Sequence, residues 1–244
     1  MTQITATYID HCGSDLTTVN AARVSFGKKS EWETLVLSYQ EFEEGDYTDW
    51  PHQRWFDNPY YGVTLSKLPE RDTKLIKYLA KHKHISPFGH AFASFHIKAP
   101  IFVARQLVKH KFLRWNEISR RYVDDEPEFY VPDVWRGRSE DKKQGSDGVI
   151  HFVWGPEDLY EEPLAVYNRM LECGVAPEQA RMVLPQSTMT EFYWSGSLDA
   201  FASMCVLRLK DDTQYETRLV AQQIDEVMSD LFPVSWKALV HGEA

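Results

Sequence analysis

The alternation of hydrophobic and polar residues predicts strands at two places in the first half of the chain. Residues 4–9 alternate as a strand does, and Asp15 is positioned to cap a short helix directly after it. Residues 90–98 alternate less regularly but still predict a strand. Pro100 then opens a helix that continues through Leu107, and residues four apart on this helix share a face. The pairs expected on one face are Arg105 with Lys109 and Gln106 with His110.

Helical periodicity predicts further helices along the chain. One helix starts at Asp72 and a second covers 157–173. A third starts at Pro177, a fourth runs from a cap at Ser197 to Arg208, and a fifth covers 215–231. Residues 27–70 and 136–158 lack this periodicity and are predicted insertions, the first of them a lid or an oligomer contact. We therefore predict one compact α/β domain over residues 1–244, without internal repeats.

Composition and charge narrow the class of protein. With 43% hydrophobic and 14% aromatic residues, the 244-residue chain can bury a substantial core. Its net charge of −9 argues against a nonspecific nucleic-acid binder. No apolar run approaches the roughly 20 residues that span a bilayer, and the N-terminus lacks the pattern of a signal peptide. We therefore expect a cytoplasmic protein that binds neither nucleic acid nor membrane.

The three cysteines predict neither a disulfide framework nor a metal site. Cys12, Cys173 and Cys205 are isolated, without the paired spacing of zinc-binding or redox motifs.

Residues 105–122 reverse the overall charge of the chain. Phosphate suits such a segment, because Arg offers a fork of donors and Lys a mobile charge. The alternative is a solvated basic helix end, but Asn116, Glu117 and Ser119 interleave polar groups that could orient a ligand. His110 lies between two lysines, and like-charge repulsion should keep its imidazole neutral near pH 7. The basic residues are Arg105, Lys109, Lys111, Arg114, Arg120 and Arg121.

The same segment resembles the signature of flavin-dependent thymidylate synthases. The family motif is Arg-His-Arg, seven free positions and Ser, commonly with Asn-Glu before the Ser and Arg-Tyr after it. This chain has Lys109-His110-Lys111, Asn116-Glu117, Ser119 and Arg121-Tyr122 at that spacing. Other landmarks in family order are 21–26, 84–90, 99–106, 180–185 and Arg208 followed by Thr213-Gln214.

The resemblance implies a reaction, cofactors and an assembly. The reaction is reductive methylation of dUMP to dTMP, with methylenetetrahydrofolate as carbon donor, FAD as hydride carrier and NADPH as reductant. Family members are homotetramers that use no enzyme thiol as nucleophile. The implied fold is an antiparallel or mixed sheet with long helices.

The resemblance also assigns residues by matched position. The implied dUMP-binding residues are Gln106, Leu107, Val108, Lys109, Glu117, Ile118, Ser119, Arg120, Arg121, Arg181 and Arg208. The implied FAD-binding residues are Ser86, Lys109, His110, Lys111, Glu117, Ser197, Leu198, Asp199 and Ser203. Arg121 and Arg181 are expected to hold the phosphate, and His84 to lie near the flavin or folate ring.

Arg208 is the expected catalytic residue, because it matches the arginine credited with ionising N3 of the uracil. A guanidinium is no practical base. A fixed cation beside N3 nevertheless favours the anionic ring and enriches C5 as a carbon nucleophile.

Departures from the family pattern concentrate on the flavin side. Lysine replaces both arginines of the triplet, which keeps the charge but loses bidentate geometry. Gly89 stands where many members carry an acid, and Arg114 where Ser is usual. Other departures are Ser197, Asp199, Ser203 and Asp212, in place of Asn, Arg, Asn and His.

Three interpretations therefore stay open. The favoured one is a flavin-dependent thymidylate synthase with altered flavin contacts. A second is hydroxymethylation of dUMP, in which water captures the exocyclic methylene before hydride does. The third is a noncatalytic nucleotide-binding paralogue.

Overall fold

The computed structural model describes residues 3–45, 63–140, 145–151, 155 and 157–242. The chain divides into two compact units. The sheet unit comprises residues 1–10, 93–196 and 203–227, and the helix unit comprises 11–92, 197–202 and 228–244. This division does not test whether either unit folds alone, so the single catalytic domain stays a prediction.

Strands and helices alternate over the first half of the chain and occur in consecutive groups over the second half. The strands are β1 (Thr5–Cys12), β2 (Glu33–Leu37), β3 (Val63–Lys67), β4 (Phe92–Pro100), β5 (Leu113–Glu117), β6 (Arg136–Arg138), β7 (Ser146–Val149) and β8 (Met189–Ser197). The α-helices are α1 (Asp15–Arg23), α2 (Tyr39–Glu44), α3 (Glu70–Lys81), α4 (Ile101–Leu107), α5 (Glu161–Glu172), α6 (Pro177–Ala180), α7 (Leu198–Arg208), α8 (Tyr215–Leu231) and α9 (Pro233–Trp236). Short 3-10 segments cover Val24–Phe26, Ser86–His90, Glu157–Leu159 and Arg181–Val183, and Lys237–His241 is a π-helix.

A four-stranded sheet in the order β1-β4-β8-β5 forms the framework of the sheet unit. β5 and β8 are antiparallel, with Trp115 opposite Trp194 and Glu117 opposite Phe192. Phe192 and Trp194 are buried, as are Phe95 and the other alternate residues of β4. The strand predicted over 90–98 is thus confirmed, because one face of it is packed away from solvent.

α4 begins as predicted, directly after Pro100, but it ends at Leu107, before Lys109 and His110 that were expected to lie on it. The predicted face pairs beyond it are wrong, because the amide of His110 donates to the carbonyl of Leu107 in a turn. Phe112 follows with φ 65°, in the left-handed region that side chains rarely adopt. Lys109 and His110 therefore belong to a tight turn, and the helix does not carry them.

In the helix unit, Ser14 caps α1, with Asp15 as the first helical residue. The expectation that Asp15 is the cap is wrong. Its buried carboxylate accepts hydrogen bonds of 2.9 Å from the amides of Val234 and Ser235. A cap position leaves the side chain at the helix surface, whereas this aspartate joins two distant segments.

Residues 27–70 contain more regular structure than the sequence predicted. β2 and β3 form an antiparallel pair and α2 follows β2, while 46–62 lie outside the described residues. α3 starts at Glu70, two residues before the predicted start at Asp72. Whether the segment is a lid or an oligomer contact stays a prediction.

The later helices agree with the periodicity, and α8 has the predicted bounds. The predicted insertion 136–158 contains the β6–β7 hairpin, and 141–144, 152–154 and 156 lie outside the described residues. The predicted α/β class with antiparallel strands is confirmed. Among the described residues, no helix is both long and apolar enough to cross a bilayer.

Candidate functional site

The basic turn, residues 109–112, lies between α4 and β5 in the sheet unit. Lys109, Lys111 and Phe112 are exposed, and Phe112 has 83% of its surface open to solvent. Gly196 lies directly against this turn, since a Cβ there would approach the carbonyl oxygen of Phe112 to 2.9 Å. A glycine on β8 is what allows the turn to lie this close to the sheet.

Arg208, at the end of α7, reaches back to the basic turn. Its Nε donates to Nε2 of His110 at 3.0 Å, and its Nη2 donates to the carbonyl of Gln106 at 3.4 Å. Because Nε2 accepts, the imidazole must carry its proton on Nδ1. Burial, followed by the charge of Arg208, lowers the pKa of His110 to about 4.

The predicted neutral imidazole therefore holds, but by a different cause. The sequence pointed to the flanking lysines, whereas burial and Arg208 lower this pKa. Burial also lowers the pKa of Arg208, although a guanidinium stays charged at any ordinary pH. The result is a partly buried cation held in place by a neutral acceptor.

Gln106 is fixed from a second side. Its side-chain nitrogen donates to the side-chain oxygen of Gln214, just before α8. Gln214 also lines a cavity of about 640 Å³ whose walls include Tyr130, Arg136 and Glu216. A residue 108 positions away in sequence thus orients one of the predicted nucleotide ligands.

Glu117, the one acid among the basic residues, is held by both of its oxygens. Thr190 Oγ1 donates to Oε1 at 2.6 Å, and Trp115 Nε1 donates to Oε2 at 3.0 Å. Glu117 nevertheless remains exposed to solvent. The carboxylate is oriented by the sheet and still accessible to a ligand.

After β5 the chain turns through Ser119. The amide and Nε of Arg121 both lie 3.4 Å from Oγ of Ser119, and the guanidinium lies 4.9 Å from the centre of the Tyr122 ring. Arg120 instead donates to the backbone carbonyl of Asp125, and its buried Nε has no partner among the described residues. Arg121 is exposed to solvent. Arg120, in contrast, binds the loop that follows it.

The remaining predicted nucleotide ligands also belong to the sheet unit. Arg181, exposed at the end of α6, donates from Nε to the carbonyl of Glu178 at 3.2 Å, which leaves its terminal nitrogens available. Leu107 is buried, whereas Val108 and Ile118 are exposed. Every residue predicted to bind dUMP therefore lies in one compact unit.

None of the six cations of segment 105–122 makes an ion pair with the acids that the structure describes. These cations are Arg105, Lys109, Lys111, Arg114, Arg120 and Arg121. Unpaired cations in a chain of net charge −9 favour a local anionic ligand.

The predicted flavin ligands divide between the units. Lys109, His110, Lys111, Glu117 and Ser203 belong to the sheet unit, and Ser86, Ser197, Leu198 and Asp199 to the helix unit. Ser86 opens a 3-10 segment and lines a cavity of about 870 Å³ within the helix unit. His84 lines the same cavity, and its ring lies nearly parallel to that of Tyr78, with 6.1 Å between centroids.

Two departures from the family pattern are neighbours in the helix unit. A Cβ built at Gly89 would lie 3.7 Å from Oδ1 of Asp199, an ordinary contact distance. That Oδ1 is buried and has no hydrogen-bond partner among the described residues. Leu198, beside it, is buried and donates its amide to the carbonyl of Ala91. Asp199 therefore has capacity to accept a hydrogen bond.

Sequence reasoning missed the residues that hold the predicted ligands. Thr190 and Trp115 orient Glu117, and Gln214 orients Gln106. A strand pattern places Thr190 on a buried face, but only the pairing of β5 with β8 reveals that Glu117 shares that face.

Comparisons with known proteins find matches that cover nearly the whole chain. The model of a family described as thymidylate synthase complementing protein matches residues 7–234. The chain is similar to the flavin-dependent thymidylate synthase of Thermus thermophilus, with 35% identity over 233 residues, 94% of this chain and 73% of the relative. Its identity to the flavin-dependent thymidylate synthase of Kosmotoga olearia is 34%, over 96% of this chain and 88% of the relative.

Solved structures show the same similarity in three dimensions. The UMP/dUMP methylase PolB from Streptomyces cacaoi bound with 5-Br dUMP superposes with a TM-score of 0.72 and 28% identity, over 98% of this chain and 95% of that chain. The same protein bound with 5-Br UMP gives a TM-score of 0.74 and 27% identity, over 99% and 95%.

Proposed function

Because the chain belongs to the family of flavin-dependent thymidylate synthases, we propose that it converts dUMP to dTMP. In the proposed reaction dUMP, methylenetetrahydrofolate, NADPH and one proton give dTMP, tetrahydrofolate and NADP⁺. FAD would carry the hydride from NADPH to the transferred one-carbon unit. The active form is proposed to be a cytoplasmic homotetramer.

The observation that carries the proposal is the contact of Arg208 with His110, 3.0 Å from Nε to Nε2. The neutral imidazole holds the guanidinium without cancelling its charge. A fixed cation of this kind stabilises negative charge that develops on a pyrimidine ring, at no cost of reorganisation during the reaction. Arg208 is therefore assigned to the N3 side of the uracil.

The nucleotide phosphate is assigned to Arg121 and Arg181. Both are exposed arginines anchored by one nitrogen, Arg121 at Ser119 and Arg181 at the carbonyl of Glu178. Anchoring one nitrogen leaves the others for phosphate oxygens, which arginine binds in a bidentate manner. Glu117 would accept a hydrogen bond from an N–H or O–H group of the ligand.

The FAD ligands implied by the resemblance differ in charge, and the lysines suit the cofactor's diphosphate better than Asp199 does. Lys109 and Lys111 offer unpaired positive charge to its diphosphate. Asp199 is an acid and therefore has the opposite charge. Its buried Oδ1 accepts no hydrogen bond from the described residues. Such an oxygen suits a hydroxyl or ring N–H of the cofactor and repels a phosphate. We therefore assign the diphosphate to the lysines and exclude it from Asp199.

One assay tests the proposal. The purified chain is incubated with FAD, NADPH, methylenetetrahydrofolate and either dUMP or UMP, and the product is identified by mass spectrometry. UMP is included because the similar solved structures are of a UMP/dUMP methylase. We expect dTMP from dUMP, and no product when flavin or NADPH is omitted.

The other outcomes separate the open interpretations. A hydroxymethylated nucleotide would refute reductive methylation and support a hydroxymethylase. Binding of dUMP without any product would support a noncatalytic paralogue. Methylation of UMP in preference to dUMP would overturn the assignment of dUMP as the substrate.

A further inference from the structure

We propose that Thr190 and Trp115 are positioning residues that hold Glu117 in its ligand-binding orientation. The inference rests on the proposed function only in placing Glu117 against the nucleotide and the flavin. Neither Thr190 nor Trp115 was predicted as a site residue, and neither is assigned a ligand contact here. Both act through the carboxylate of Glu117.

The antiparallel pairing of β5 with β8 brings the three side chains together. Trp115 and Glu117 are two apart on β5 and therefore point to the same face. Glu117 lies opposite Phe192, and Thr190 is two residues from Phe192 on β8. Thr190 is thus the diagonal cross-strand neighbour of Glu117, within reach on the same face.

The two donors occupy different oxygens of the carboxylate. Thr190 Oγ1 lies 2.6 Å from Oε1, and Trp115 Nε1 lies 3.0 Å from Oε2. Two donors at two oxygens fix the plane of the group, which a single hydrogen bond would leave free to rotate. Each oxygen retains accepting capacity, so Glu117 can still bind a ligand donor.

Neither donor can easily move. Only 6% of the surface of Thr190 is exposed. The ring of Trp115 stacks on Phe192, with centroids 3.4 Å apart, and meets Trp194 edge-on at 6.0 Å. The indole N–H therefore points in one direction. A side chain held before binding loses less conformational entropy when the ligand arrives.

Thr188 provides a matched control for Thr190. It is also a buried threonine next to the start of the same strand, and its hydroxyl donates at 2.7 Å to the carbonyl of Pro185. The two residues share burial, size and a single donated hydrogen bond. They differ in that only Thr190 donates to Glu117, so packing effects and positioning effects can be separated.

The test compares Thr190→Val, Thr190→Ser and Thr188→Val in the full chain. Dissociation constants for dUMP are measured by calorimetry and for FAD by flavin fluorescence, with melting temperatures recorded alongside. For Thr190→Val we expect about threefold to tenfold weaker binding, the cost of ordering one long side chain. Thr190→Ser keeps the hydroxyl and should restore binding, and Thr188→Val should bind as the wild type does.

A double-mutant cycle shows whether Thr190 acts through Glu117. In a Glu117→Ala background, Thr190→Val should cause no further loss of affinity. An equal loss in both backgrounds, or wild-type binding by Thr190→Val, would refute the positioning role. If Thr190→Val does not fold, Trp115→Phe removes the other donor and is subject to the same expectations.

The failure of the proposed function would look different. If Glu117→Ala binds dUMP and FAD as tightly as the wild type does, Glu117 contacts neither ligand and its assigned ligand contact is wrong. If Glu117→Ala weakens binding and Thr190→Val does not, the assigned contact stands and the positioning proposal alone is wrong.

Discussion

The predicted nucleotide ligands of the sheet unit and the predicted flavin ligands of the helix unit differ in how they are held. Arg208, Gln106 and Glu117 each contact another side chain of the sheet unit. In the helix unit, the buried Oδ1 of Asp199 has no partner among the described residues. One group is ordered before a ligand binds, whereas the other has hydrogen-bonding capacity that a ligand would have to satisfy.

The difference follows the departures from the family pattern. Gly89 and Asp199, which appear as separate changes in the sequence, are neighbours in the structure. A glycine beside an aspartate leaves that carboxylate without a charged partner at this position. Pre-organisation lowers the cost of binding, so we expect substitutions in the sheet unit to have the larger effects.

The largest expected effect is that of Arg208→Ala. Removing the fixed cation should lower kcat by about 100-fold to 1000-fold, as loss of a pre-organised electrostatic group does. Arg218→Ala is the matched control, because Arg218 is a partly buried arginine of α8 bonded to the carbonyl of Asp211. Steady-state kinetics and circular dichroism of both variants provide the measurement. Near-normal kcat in a folded Arg208→Ala protein would contradict the N3 assignment.

Gly196→Ala should have the next largest effect, on stability. The added Cβ would lie 2.5 Å from Leu113 Cδ2 and 2.9 Å from the carbonyl oxygen of Phe112. We expect a loss of about 1–3 kcal/mol in the free energy of unfolding, typical of overpacking. Gly89→Ala, whose Cβ has 3.7 Å of room, is the control in the helix unit. The free energy of unfolding of both variants is measured by denaturant unfolding. An equal loss in the two variants would contradict the close approach at the basic turn.

Periodicity predicted the elements well, and α8 even in its bounds, because helix formation depends on neighbours in sequence. It failed at His110, because a turn ended α4 before the predicted helix face was complete. It failed again at Asp15, whose partners Val234 and Ser235 lie more than 200 residues away. Tertiary hydrogen bonds of this kind leave no periodic trace.

The candidate site likewise has features that the sequence predicted and contacts that it did not. The charge reversal at 105–122 and the family resemblance are the source of the predicted ligand-binding side chains, which stay predictions. The contacts that orient them could not be predicted, because Thr190 and Gln214 reach Glu117 and Gln106 only through strand pairing and chain reversal. Positioning residues are defined by three-dimensional neighbours, and a single sequence does not specify those neighbours.

A moderate effect is expected for Asp199→Asn. Removing the negative charge lessens repulsion of the anionic cofactor and should tighten FAD binding by at most about fivefold, the energy of one pair of unit charges 4 Å apart in water. The matched control is Asp211→Asn, which removes an exposed acid of the sheet unit that no ligand assignment involves. Flavin fluorescence titration measures both. Weaker binding by Asp199→Asn would instead mean that the negative charge itself contributes to holding the cofactor.

The smallest effect is expected in the pH dependence of stability. The pKa of His110 is lowered to about 4, below the ordinary value of 6.5, so the unfolded chain binds this proton more tightly. The neutral imidazole therefore contributes stability that is present above pH 6.5 and is lost as the pH falls towards 4. His110→Gln keeps an acceptor for Arg208 but does not titrate, so its stability should decline less over that window.

The size of this difference is limited by solvent. A full proton would change the slope by about 1.4 kcal/mol per pH unit, and partial exposure of His110 reduces that value. Carboxylates titrate in the same window, so the informative quantity is the wild-type curve minus the His110→Gln curve from urea unfolding between pH 7 and 4. Parallel curves would contradict the burial of a neutral imidazole against Arg208, and with it the fixed cation on which the nucleotide assignment depends.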